Sequence, residues 1–271
     1  MNLKIILTAM SLSLSSALVA ENGQMSFIGK GHPIPNTEVL TPENLWAMGR
    51  IGTFQMSPNE KNAVYGVNYY SVEQNKSHSV IYTMDFASGD SKMLTTSLKS
   101  ELNPVYIDGG DEIVFLSAEN GTMQLWKMNA DGTNRKQISF ENSDVIDFKF
   151  SSDFSRLILV KEVPNHTSIQ ANDSDLPLSS GMVCNDLMYK HWDTYVTSSP
   201  HPFVALFDGE KVCASYDILA GEPFECPMMP FGGVEQLAWS PDSKYIAYTC
   251  RKFTGVDYAI STDSDIYLYE L

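Results

Sequence analysis

Two carboxylates stand three residues apart in Gly221-Glu-Pro-Phe-Glu225, and a histidine, an indole and a carboxylate are adjacent at His191, Trp192 and Asp193. Glu222 and Glu225 could hold a cation, because a cation removed from water needs a charged partner. The other side chains that bear chemistry do not gather into a reaction centre. Cys184, Cys213, Cys226 and Cys250 form no Cys-x-x-Cys pair and have no histidine at zinc spacing, which argues against a metal site. Their pairing stays open: Cys213 and Cys226 are the closer pair in sequence, and free buried thiols fit equally well. His32, His78, His166 and His201 follow no ligand spacing. No Gly-x-Ser-x-Gly segment places a serine on a sharp strand-to-helix turn, so no residue is assigned to a Ser/His/Asp triad and no cofactor is expected.

The elements that position these residues are read from a repeat. Residues 54–65 (FQMSPNEKNAVY), 105–115 (VYIDGGDEIVF), 147–159 (DFKFSSDFSRLIL) and 237–248 (LAWSPDSKYIAY) share one pattern. An alternating apolar strand runs into a tight turn of the Ser-Pro-Asp type, and a more continuous apolar strand returns beside it. The turn chemistry is local: proline presets φ, and Asp or Gly tolerates the turn geometry. After the first two hairpins come a third apolar run (80–84 and 124–128), a glycine-containing turn, and a short fourth strand (91–94 and 135–138). Each unit is therefore four antiparallel strands.

Taking Met56, Tyr106, Phe150 and Trp239 as equivalent gives spacings of 50, 44 and 89 residues. The first two suit a four-stranded propeller blade, whose repeat is about 40–50 residues. From the marker to the turn glycine the distance is 26 residues in the second copy (Tyr106 to Gly132) and 59 in the third (Phe150 to Gly209), so the third carries about 33 extra residues between its second and third strands. The expected fold is all-β: an incomplete β-propeller of about three four-stranded blades plus an unfinished fourth. Blades are expected near 50–97, 103–140, 145–218 (with an insertion at 163–200) and 234–271. The fourth stops where its closing strand should follow, which reads as a fragment because exposed edges and apolar faces are normally capped. Trp126 and Trp239 fall at repeat positions and read as blade core.

Ahead of the repeats, Thr41-Pro-Glu carries a helix N-cap, a first-turn proline and a first-turn acid. Residues 21–39 read as a linker. Residues 1–20 have one lysine, a short apolar stretch and small residues, the pattern of a cleaved export signal, which implies a periplasmic or secreted protein. The 33 acidic and 18 basic residues leave a net charge of −15. Such an excess disfavours nucleic-acid and anionic-membrane partners.

The blade motif alone also resembles TolB-like periplasmic propellers, whose Asn-Ala-Asp-Gly-Thr turn is matched at residues 129–133. Further segments are more discriminating: Leu40-Thr-Pro-Glu-x-Leu-Trp before the first blade, Asp186-Leu-Met-Tyr-Lys-His-Trp-Asp193 in the insertion, Ser199-Pro-His-Pro-Phe203, and Asp217-Ile-Leu-Ala-Gly-Glu-Pro-Phe-Glu225. On these, residues 40–271 resemble the bacterial dipeptidyl peptidases of the prolyl-oligopeptidase family, especially the dipeptidyl-peptidase-5 type. The resemblance implies an exported serine peptidase that removes dipeptides from the amino end of peptides, with the propeller screening an α/β-hydrolase domain not contained in these residues. It implies a carboxylate for the substrate ammonium, for which Glu222 and then Glu225 are the candidates. It also suits His191, Trp192 and Asp193 to a substrate-gating loop, against the alternative that Trp192 merely plugs the loop onto the propeller. The rival reading is a free-standing protein-binding propeller of the TolB-like kind.

Overall fold

The computed structural model describes residues 39–169, 173–187, 189–191 and 194–271, with backbone alone for residues 189–191, 194 and 195. The expected export signal, the linker up to residue 38, and both Trp192 and Asp193 lie outside the described residues. Helix α1 (Pro42–Ala47) starts as its sequence dictates, with the Asn44 amide donating to Thr41 Oγ1 at 3.2 Å.

Four antiparallel sheets follow in chain order. The first is β1 (Arg50–Met56), β2 (Asn62–Ser71), β3 (Lys76–Asp85) and β4 (Ser91–Met93). The second is β5 (Glu101–Ile107), β6 (Glu112–Ser117), β7 (Gln124–Asn129) and β8 (Lys136–Gln137). In the third, β9 (Val145–Phe150) and β10 (Arg156–Pro164) are followed by two hairpins, β11 (Thr167–Ser168) with β12 (Met182–Val183), and β13 (Tyr189–His191) with β14 (Thr194–Tyr195). Then β15 (Ser198–Leu206) and β16 (Tyr216–Asp217) complete the sheet. The last has three strands, β17 (Leu237–Trp239), β18 (Tyr245–Cys250) and β19 (Asp265–Glu270), with helix α2 (Gly255–Ile260) between the second and third. The architecture is that of an incomplete β-propeller.

The repeat is one of register as well as sequence. Met56 pairs with Ala63, Tyr106 with Ile113, Phe150 with Leu157 and Trp239 with Ile246, always seven residues on. In three hairpins the turn serine sets this offset: Ser57, Ser151 and Ser240 each accept through Oγ from the amide that starts the return strand, at 3.0, 3.0 and 2.9 Å. The sequence reading placed the unusual backbone on Asp or Gly, but outside the second blade it falls one residue later. Positive φ occurs at Glu60, Gly110, Phe154 and Ser243, four beyond each marker. Asn59, Asp153 and Asp242 instead accept the serine hydroxyl at 2.8, 2.7 and 2.6 Å. Their role is a side-chain hydrogen bond rather than tolerance of a left-handed residue.

Blade packing explains why the second strands read as continuous apolar runs. In β6, Ile113 and Phe115 enter a core shared with Val64 and Ile81 of the first blade, while Val114 and Leu116 enter one shared with Phe148 and Leu157 of the third. In β10, Leu157 and Leu159 face the second blade while Ile158 and Val160 face Leu237 and Ile246 of the fourth. Alternate residues thus serve two different interfaces. Each fully buried aliphatic side chain contributes about 1.5–3 kcal/mol of transfer free energy. Trp126 is buried in the first of these cores, and Trp239 packs beside the last.

A polar chain crosses the first strands. Thr53 Oγ1 donates to Asn103 Oδ1 and Asn103 Nδ2 to Asp147 Oδ1, both at 2.8 Å, linking three blades. All three residues stand three before their marker, at or beside a break in strand register. A bulge turns one side chain sideways, here toward the next blade. The fourth blade is tied differently, Trp239 Nε1 donating to the Lys149 carbonyl at 3.1 Å and Lys149 Nζ to the Leu237 carbonyl at 2.5 Å.

Candidate functional site

Antiparallel order sends alternate connections to opposite ends of the strands. One end carries the Ser-Pro-Asp hairpins and the glycine turns. The other carries the long insertion, the segment between β16 and β17 that holds Glu222 and Glu225, and the segment between β18 and β19 that holds α2. The unusual sequence of this chain is therefore collected on one face, where two adjoining clefts lie, one between the insertion and the fourth blade and the other between the insertion, β15 and residues 221–223. One, of about 480 Å³, is lined by Asn165, Asn185, Asp186, Pro223, Thr254 and Gly255 among others. The other, of about 350 Å³, shares Asn165, Asn185 and Pro223 and adds His166, His201 and Glu222.

Asp186 fastens the insertion to the fourth blade. Helix α2 has Thr254 at its N-cap without a side-chain cap bond, and its first amide, Gly255 N, donates instead to Asp186 Oδ1 at 2.8 Å from 69 positions away. Gly255 holds φ at 58°, a backbone that favours glycine.

The two candidate glutamates differ in setting. Glu225 is buried at 3% exposure, and its Oε1 accepts from the Tyr258 hydroxyl and from the Met229 amide at 3.2 Å, with Arg251 at 4.0 Å. It joins α2 to the segment after the third blade and presents no open oxygen to a cleft. Its partner Tyr258 has its hydroxyl pushed well above the ordinary range by burial and by the hydrogen bond to Glu225. Glu222 is 37% exposed at its side chain and lines the smaller cleft, with Lys252 Nζ 2.6 Å from Oε2. The Lys252 ammonium also lies 4.5 Å from the Tyr267 ring centroid, 5.7 Å from Phe224 and 6.0 Å from Tyr248. Burial pulls the Lys252 ammonium down, but its hydrogen bond to Glu222 and the neighbouring Tyr248 and Glu222 charges together outweigh this and hold it above the ordinary lysine value. An ion pair this open contributes at most about 1 kcal/mol.

Two histidines whose spacing carries no signal meet in the smaller cleft. His201 is 3% exposed, with Nδ1 donating to Asp217 Oδ2 at 2.8 Å across β15 and β16. His166 Nδ1 donates to the Thr197 carbonyl at 2.7 Å, spanning the two ends of the insertion. Their meeting depends on closure of the insertion, which spacing does not encode. His191 lies on β13, opposite Thr194 on β14, within the insertion. All four cysteines are free thiols. Burial pushes the Cys226 thiol far up and the Cys250 thiol to about 11, as expected of inert core sulfurs. Among the described residues no group of His, Cys, Asp or Glu is arranged to hold a metal, and no helix is long and apolar enough to cross a membrane.

No family model matches the chain. Dipeptidyl-peptidase 5 of Porphyromonas endodontalis is 37% identical over 244 residues, covering 89% of this chain and 35% of that protein. Dipeptidyl-peptidase 5 of Porphyromonas gingivalis is 39% identical over 251 residues, covering 91% of this chain and 37% of that protein. The chain thus spans about a third of the length of these relatives. Among solved structures, Pyrococcus horikoshii acylaminoacyl peptidase superposes with a TM-score of 0.55 at 15% identity, over 83% of this chain and 32% of that one, a likeness of fold. The chain is a partial β-propeller. Its sequence is similar to part of the dipeptidyl-peptidase-5 proteins.

Proposed function

We propose that this propeller belongs to an exported serine dipeptidyl peptidase, where it gates and orients peptides for an α/β-hydrolase domain that supplies the nucleophile. The observation that carries the reading is the cleft-lining carboxylate of Glu222, on the face that also bears the insertion. A peptidase that counts two residues from a free amino end needs a fixed anion for the substrate ammonium. Glu222 supplies it. Glu225 acts behind it by tying α2 to the segment after β16 through the Tyr258 hydroxyl and the Met229 amide. The insertion that carries His191, Trp192 and Asp193 serves as a substrate gate.

The test is Glu222→Gln in the full-length protein, with matched dipeptidyl substrates bearing free or acetylated amino ends. The expected result is a rise in KM of about tenfold or more for the free-amino substrate, equivalent to a lost charge-assisted contact, with little change for the acetylated one. Unchanged discrimination removes Glu222 from the role. A full-length protein with no dipeptide-releasing activity removes the reading itself.

A further inference from the structure

Lys252 belongs to no motif singled out in the sequence, yet its ammonium occupies a built recess. A carboxylate and three aromatic rings converge on it from three parts of the chain: Glu222 and Phe224 from the segment before β17, Tyr248 from β18 and Tyr267 from β19. Tyr248 and Tyr267 stack with centroids 5.4 Å apart and their planes 25° from parallel, so two walls of the recess brace each other. A carboxylate with aromatic faces is the chemistry that recognises ammonium groups.

Lys161 too sits against a carboxylate and a ring, but that contact is closed. Lys161, bonded to Glu141 and over Phe203, has side-chain exposures of 10% and 13% for the pair. At Lys252 and Glu222 they are 24% and 37%, and Glu222 with its neighbour Pro223 opens onto the cleft. The lysine stem is flexible and its ammonium is readily rehydrated, so this occupant can leave. A replacing ammonium preserves the charge balance and leaves no bare carboxylate behind.

We propose that Glu222, Phe224, Tyr248 and Tyr267 form a primary-ammonium site that Lys252 fills from within, and that the amino end of an incoming peptide enters it by displacing Lys252. For the peptide, this rests on the reading of Glu222 given above; the recess itself rests on the geometry of the rings and the carboxylate. Lys252 is then a tethered competitor that raises the concentration of free-amino ligand needed for binding.

The experiment uses the full-length protein and n-propylammonium, which reproduces the end of a lysine side chain. In Lys252→Ala the recess is vacated, and n-propylammonium should bind about tenfold or more tightly than to wild type and raise the melting temperature saturably. Adding Glu222→Gln to Lys252→Ala should abolish both effects. Equal binding by wild type and Lys252→Ala, or binding that survives Glu222→Gln, overturns the site. If Lys252→Ala does not fold unaided, recovery of a cooperative melt in n-propylammonium supports the site, and failure to recover overturns it. The peptide arm is read separately: KM for a free-amino dipeptidyl substrate should fall several-fold in Lys252→Ala with kcat unchanged. Amine binding without that fall keeps the ammonium site and overturns its use by peptides.

Discussion

The two faces of this propeller grow from the same strands, but the turn aspartates of one and the cleft-side carboxylates of the other are satisfied in opposite ways. On the hairpin face, Asp85, Asp131, Asp153, Asp208 and Asp242 each accept backbone amides two or three residues ahead in their own turns. On the insertion face, Asp217 takes His201 from 16 positions away, Glu222 takes Lys252 from 30, Glu225 takes Tyr258 from 33 and Asp186 takes Gly255 from 69. A locally satisfied carboxylate shapes a turn and has little left to offer a ligand. One satisfied across the fold holds separate segments together, and where it is also open to solvent, as at Glu222, it can exchange its partner.

The contrast is sharpest in stability. Glu225→Ala leaves Tyr258 and Arg251 without their buried carboxylate and should cost about 3 kcal/mol, read by urea unfolding of the full-length protein. A loss no larger than that of a hairpin-face aspartate would erase the distinction. Gly132→Ala comes next: Gly132 holds φ at 92°, and a Cβ there would stand 3.1 Å from the Leu94 carbonyl oxygen. It should cost about 1–2 kcal/mol, with its damage confined to the hairpin face by hydrogen exchange. Asp186→Ala removes the distant cap of α2 and should cost about 1 kcal/mol. Limited proteolysis should also cut the insertion faster, and an unaltered cleavage rate would separate the insertion from α2.

The smallest effect is in acid. The five hairpin carboxylates titrate below the ordinary range because amides and hydroxyls of their own turns donate to the ionised form. A depressed folded pKa gives stabilisation that is complete above the unfolded value, about pH 4, and is lost as pH falls below it. Unfolding in urea at pH 6, 4 and 2.5 should therefore show most of this loss between the last two. A decline that begins above pH 5 would place the acid-sensitive groups elsewhere.

Much of the hairpin face was legible in the sequence because its rules are local. The Ser-Pro-Asp turns, the marker residues and the Thr41 cap all act within a few residues, and the cores follow from alternation along single strands. The insertion face was legible as an interruption and as single candidate residues, Glu222 and Glu225 among them, but not in its pairings. His201 and Asp217 are side by side because β15 and β16 pair, and Lys252 meets Glu222 because the fourth blade docks on the third. Helix α2 has Thr254 at the cap position, but its first amide is held by Asp186 from 69 positions away, a contact no local rule contains. The polar links at Thr53, Asn103 and Asp147 did leave a signal, since each is a polar residue three before its marker in an apolar strand.

Those links bear on how such a chain lengthens. Asn103 is both acceptor and donor, receiving the blade before it through Oδ1 and reaching the blade after it through Nδ2. An amide at this position makes a duplicated unit compatible with both neighbours, whereas the carboxylate of Asp147 can only receive. A copy of the second unit could therefore be bonded on both sides, whereas the third ends the relay and is joined to the fourth by Trp239 and Lys149 instead.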